Sequence, residues 1–124
     1  MIFATSIHCM DGRVQLPINK YMQKKYNVRY LDAITEPGPN KILAEMADDR
    51  LVQSIKNRVD ISVHKHGSAC IAVSGHADCA GNPADKKTQL KQIDQCADHL
   101  KRWYPDPVQI IKLWLDENFK VYEL

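Results

Sequence analysis

Apolar residues recur along this chain in two alternating rhythms, one of strands and one of helices. Ile2 to His8 is apolar and β-branched enough for a central strand. Leu16, Tyr21, Met22 and Tyr26 then follow a helical spacing, and Pro17, whose ring presets a first-turn φ, predicts a helix over 17–25. Val28 to Ile34 reads as a second strand, closed by the breaker run Glu36-Pro37-Gly38-Pro39-Asn40. From Lys41 to His66 the positions Ile42, Met46, Val52, Ile55 and Val59 keep helical spacing, with Asp48-Asp49 as the point where the segment divides. Ala69 to Ser74 is a continuous apolar run of the kind buried on both faces of a parallel sheet. Leu90, Ile93, Ala97 and Leu100 share one face of a further helix, stopped by Pro105-Asp106-Pro107. Val108 to Leu115 is a fourth strand, Asp116-Glu117-Asn118 a turn, and Phe119 to Leu124 an antiparallel edge strand.

Strands that alternate with helices predict an α/β fold. The expected architecture is a mostly parallel sheet of about four strands with an antiparallel fifth edge strand and helices on both faces. The 124 residues suit one domain, 1–124. In such sheets ligands bind beyond the carboxyl ends of the strands. If the first and third strands are neighbours, the segments that follow them meet at one sheet edge.

Composition narrows the function classes. A formal charge of +2, with no basic tract, argues against nucleic acid as a partner. No apolar run approaches the ~20 residues of a membrane span, and Met1 to Ile7 lacks the basic start of a signal peptide. With nothing pointing to secretion, the chain reads as cytoplasmic, where cysteines serve as metal or catalytic groups rather than as disulfides.

Two motifs stand where buried strands run out: Cys9-Met10-Asp11-Gly12-Arg13 and His76-Ala77-Asp78-Cys79. Cys9, His76 and Cys79 make a good zinc set, and three protein ligands leave a fourth tetrahedral position open. The bland alternatives are a buried Cys9 acting as a small hydrophobe, and a loop histidine beside an incidental thiol. The polarity of Asp11 and Arg13 weighs against the first, and the short His-x-x-Cys spacing between Gly75 and Gly81 weighs against the second. In an extended stretch, Asp11 and Arg13 would lie on one side of the chain. A bidentate Arg–carboxylate pair would then keep Asp11 ionised and away from the metal. Cys70 and Cys96 lack ligand-type neighbours and read as core or surface thiols. His8 points away from the side of Cys9, and His64 and His66 look like a favourable helix C-terminal turn, with a proton relay as the sharper alternative.

At CMDGR and GHADC the chain resembles the beta-class carbonic anhydrases, whose zinc motifs are C-x-D-x-R and, after a later strand, G-H-x-x-C. The resemblance extends over nearly the whole chain, to the closing segment IIKLWLDENFKVYEL. It implies zinc on Cys9, His76 and Cys79, a catalytic dyad of Asp11 and Arg13, and reversible hydration of carbon dioxide to bicarbonate by zinc-bound hydroxide. It also implies a parallel four-stranded core with an antiparallel fifth strand, and a dimer as the smallest working unit. A compact member is expected, without the family's N-terminal helical arm. Where the family carries R-x-A-G-N after the second strand, this chain has Ile34-Thr35-Glu36-Pro37-Gly38-Pro39-Asn40, and Cys79-Ala80-Gly81-Asn82-Pro83 replaces the family's C-G.

Two rivals keep the same metal ligands: a zinc hydrolase of another small electrophile, such as carbonyl sulfide or carbon disulfide, and a non-catalytic zinc domain. Zinc deaminases need H-x-E and P-C-x-x-C, which this chain lacks. A homodimer or higher even oligomer is expected, with Trp103, Tyr104 and Trp114 as candidate interface anchors.

Overall fold

The structure, a computed structural model, describes residues 2–124. In chain order its elements are β1 (Phe3–Cys9), α1 (Gly12–Tyr26), β2 (Tyr30–Glu36), α2 (Pro39–Glu45) and α3 (Asp49–Asp60). A π-helical turn, Ile61–Lys65, continues α3, followed by β3 (Cys70–His76), α4 (Lys86–Trp103), β4 (Gln109–Leu115) and β5 (Val121–Glu123). The sheet order is β2-β1-β3-β4-β5. The first four strands pair in parallel and β5 pairs antiparallel on the β4 edge. This is the mixed α/β sheet expected from the alternation of strands and helices.

Both faces of the sheet are covered, which is why every residue of β3 is buried. On one face α2, α3 and α4 pack Leu43, Ile55, Val59, Ile93 and Leu100 onto Ile7, Ile34, Ile71 and Val73. On the other, α1 sets Val14, Ile18 and Met22 against Ala4, Ala72, Leu113 and Leu115. Thr5 opposite Ile71 through Ile7 opposite Val73 fixes the β1–β3 register, so Cys9 and His76 finish adjacent strands at the same edge.

Local boundaries differ from the sequence expectation where caps decide them. Helix α1 begins five residues before Pro17, because Asp11 caps it by accepting the Arg13 N–H at 2.9 Å. Its buried stripe is Val14–Ile18–Met22, while Leu16 is exposed. Asn27 ends it in the left-handed region at φ 53°. Asp48 divides the second helical region, as its carboxylate accepts from the Leu51 N–H at 3.1 Å. Strand β5 is shorter than expected, since Phe119 lies in a turn at φ 58°. No helix among the described residues is long and apolar enough to cross a membrane.

The aromatic anchors require a correction. Tyr104 and Trp114 are each 3% exposed within the core, and Trp103 packs against the same cluster. The Tyr104 and Trp114 rings are consumed by the fold of one chain, whereas Trp103 stays partly exposed. Trp114→Ala should therefore lower the unfolding free energy by about 3–5 kcal/mol, read from the urea midpoint. An unchanged midpoint with a weakened oligomer would return Trp114 to an interface.

Candidate metal centre

Cys9, the last residue of β1, His76, the last of β3, and Cys79, in the turn that follows, bring their ligand atoms within 4.8 Å of one another. All three side chains are buried. The two sulfurs stand 3.8 Å apart. Sulfurs bound tetrahedrally at about 2.3 Å from zinc lie about 3.8 Å from each other, whereas a disulfide would need about 2.05 Å. His76 Nδ1 lies 2.7 Å from the Ala77 carbonyl, which can only accept, so Nδ1 carries the proton. Nε2 then presents a lone pair, and this buried nitrogen has no hydrogen-bond partner in the protein. A backbone carbonyl that fixes the tautomer of a ligating imidazole is a common support of metal sites. Two soft thiols and an imidazole with a free lone pair fit zinc in both chemistry and spacing.

Burial and the neighbouring Cys9 push the Cys79 thiol up, while the Gly81 and Asn82 backbone N–H groups act in the opposite direction. A cation between the sulfurs would favour both thiolates. Asp78, between the two ligands of the turn, adopts φ 58°, a left-handed bend that aspartate tolerates better than most residues.

Asp11 and Arg13 are brought together, by a geometry other than the extended one expected. They occupy the cap and second position of α1, and Arg13 grips the carboxylate with Nε on Oδ1 at 3.0 Å and Nη2 on Oδ2 at 2.7 Å. The guanidinium and the Arg13 backbone N–H hold the Asp11 carboxyl down at about 2. Arg13 is itself anchored twice more. Its Nη1 reaches Asp78 Oδ2 and its Nη2 the Asp78 carbonyl, both at 3.3 Å, and the guanidinium lies 4.6 Å from the Phe119 ring centroid. The same ring stands 6.0 Å from His76. Asp78 and Phe119 thus belong to the site although the motifs did not single them out; only the lone carboxylate within HADC hinted at the first.

The remaining candidates lie elsewhere. Burial raises Cys70 to about 11 and Cys96 to about 12, and Cys96 donates to the Asn40 carbonyl at 2.9 Å. His8 bonds Ser6 Oγ at 2.7 Å through Nδ1, and burial lowers its pKa to about 4. His8 Nε2 is also without a partner, but no thiol or carboxylate of the described residues groups with it as a ligand set. His66 stacks on Phe3 and bonds Asp32. Phe3 opens β1 and Cys9 closes it, a separation of about 20 Å at strand rise. That distance removes His66 as a relay for this centre. His64, beside Tyr104 and Asp60, lies at the same far end.

A family model described as "Putative carbonic anhydrase" matches residues 1–124. A carbonic anhydrase from Streptococcus mutans aligns with a TM-score of 0.64 at 18% identity, over 96% of this chain and 80% of that one. The β-carbonic anhydrase of the fungal pathogen Aspergillus fumigatus aligns with a TM-score of 0.51 at 12% identity, over 98% of this chain and 74% of that one. At these identities the two structures establish a shared fold. No curated protein sequence matches.

Purified protein should carry about one zinc per chain. Cys9→Ser, His76→Ala and Cys79→Ser should each lose most of it, and Cys70→Ala should keep it, as measured by plasma emission spectrometry. Full occupancy in Cys79→Ser would overturn the ligand assignment.

Proposed function

We propose that this chain, which belongs to the "Putative carbonic anhydrase" family over its whole length, is a zinc enzyme that interconverts carbon dioxide and bicarbonate. The observation that carries the reading is the placement of an arginine-clamped carboxylate two residues from a buried Cys-His-Cys set. Cys9, His76 and Cys79 would hold the zinc ion, which would supply acidification of water near neutral pH. What this chain adds is control of direction and protonation. Asp11, kept ionised by Arg13, can only accept, so a hydroxyl beside it must turn its hydrogen toward the carboxylate and its lone pair toward the electrophile. Arg13, tied to Asp78 and packed on Phe119, prevents Asp11 from swinging inward to become a fourth ligand. A purely structural centre would gain nothing from this clamp.

The working unit we propose is a homodimer. Met10, between Cys9 and Asp11, is 60% exposed and Leu16 on α1 is 61% exposed. An apolar pair beside the site takes the place of the buried aromatic rings as interface candidates. No two of the four cysteines are joined in a disulfide, which suits the reducing cytoplasm.

Zinc content and stopped-flow carbon dioxide hydration, measured on the same samples, test the reading. Asparagine is as good a helix cap as aspartate, so Asp11→Asn should keep fold and zinc yet lose roughly 10²–10⁴-fold in kcat. Arg13→Ala should reduce activity more than zinc content. A wild-type rate in Asp11→Asn would remove the carboxylate from the mechanism. A zinc-replete wild type inert toward carbon dioxide would transfer the site to another small electrophile, of the carbonyl sulfide or carbon disulfide kind.

Light scattering of the active protein should give a dimer, or a multiple of one, at micromolar concentration, and Leu16→Glu should weaken it. A fully active monomer would contradict the assembly.

A further inference from the structure

Behind the metal-ligand turn lies a chain of buried amides that the mechanism above does not use. Gln89, on α4 and 1% exposed, donates from Nε2 to the His76 carbonyl at 2.9 Å and toward the Ala84 carbonyl at 3.4 Å. Its Oε1 accepts from Asn40 Nδ2 at 3.2 Å. Asn40, on α2 and also 1% exposed, accepts through Oδ1 from Asn82 Nδ2 at 3.2 Å. Asn82 Nδ2 also donates to Gln92 Oε1 at 2.7 Å. The donor order is forced. The His76 carbonyl can only accept, so the Gln89 amide must present its NH₂ group there, and each successive amide then has one allowed orientation.

The glycines supply an independent sign that this cluster is built for close contact. Of the chain's five, Gly12 and Gly67 have open space where a Cβ would stand, although Gly67 at φ 70° is held to glycine by its backbone. A Cβ on Gly75 would come within 2.7 Å of Gln89 Oε1 and 2.8 Å of Asn40 Nδ2. One on Gly38 would meet Asn82 Cβ at 2.7 Å, and one on Gly81 would meet Pro37 at 2.6 Å. All three crowded glycines thus border the amide chain, and they let the Pro37–Asn40 segment seat directly on Gly81–Asn82. The two turn residues that the chain holds, His76 and Asn82, bracket Cys79.

We propose that Gln89 and Asn40 are positioning residues for the metal centre: their amide chain fixes the 76–82 turn so that His76 and Cys79 keep ligand spacing with Cys9, and so sets the metal affinity. Asn40, the last residue of the Ile34–Asn40 segment, is thereby the middle link. A half-satisfied buried network is costly, so breaking one link frees the turn rather than merely removing one bond. The inference rests on the zinc reading and goes beyond it by assigning the affinity to residues that touch no metal.

The test is zinc affinity by competition with a chromophoric chelator, paired with urea unfolding of the zinc-free protein. Gln89→Met, which keeps length and removes the amide, should weaken zinc roughly 10–100-fold. Ile93→Val loosens the same helix without touching an amide, so it should lower stability while leaving zinc affinity at the wild-type value. Should Gln89→Met fail to fold, Gln92→Ala at the half-buried end of the chain carries the test, with a few-fold loss of affinity and unchanged stability. Wild-type affinity in the folded amide variants, or an equal loss in Ile93→Val, would overturn the proposal while leaving zinc in place. A wild type that binds no zinc would instead overturn the zinc reading itself.

Discussion

The parallel ladder between β1 and β3 decides whether this molecule has a site at all. Its register sets Ile7 against Val73, and two residues later β1 ends in Cys9 while β3 runs on to Gly75 and His76. A slip of one residue would send each side chain to the opposite face and separate the sulfur from the imidazole. The register is well determined because both strands are buried on both faces, with Ile7, Ile71 and Val73 fully enclosed. Core packing thus fixes a polar juxtaposition that core packing alone would disfavour. A buried imidazole nitrogen without a partner beside two buried thiols costs free energy unless something bonds to them.

Charge accounts for the next layer. Two thiolates would cancel the charge of a divalent cation, leaving the nearby groups to set the polarity of the site. Arg13 is a strong cation engaged with that edge, and it is held by a carboxylate, a second carboxylate and an aromatic face. Position matters more than net charge here. Asp11 doubles as a helix cap, so its carboxylate is oriented by a backbone N–H as well as by Arg13. The start of a helix and the orientation of a candidate catalytic group are therefore one structural event.

Several features of this arrangement were legible in the chain itself, namely those that depend on local pattern. The run Ala69–Ser74 announced a buried strand, and the two strand-end motifs announced the Cys9–His76–Cys79 cluster. What depended on distant contacts was not legible. Pro17 suggested a helix start because proline favours the first turn, but the cap at Asp11 prevailed and left Pro17 inside α1. Gly75 is a weak strand former, yet it belongs to β3, where a side chain would collide with Gln89 and Asn40. Asp78 and Phe119 both take left-handed backbone at φ 58°; aspartate tolerates that conformation without demanding it, and nothing local announces it at a phenylalanine. Trp114 looked like an interface anchor because large aromatic rings are enriched there; only the tertiary fold shows it enclosed.

X-ray absorption at the zinc edge of the metal-loaded protein addresses the central claim most directly, because it counts the atoms around the metal without reference to activity. The account predicts two sulfurs at about 2.3 Å and two lighter atoms at about 2.0–2.1 Å, one of them an imidazole nitrogen. A shell of four sulfurs, or one with no sulfur, would contradict it.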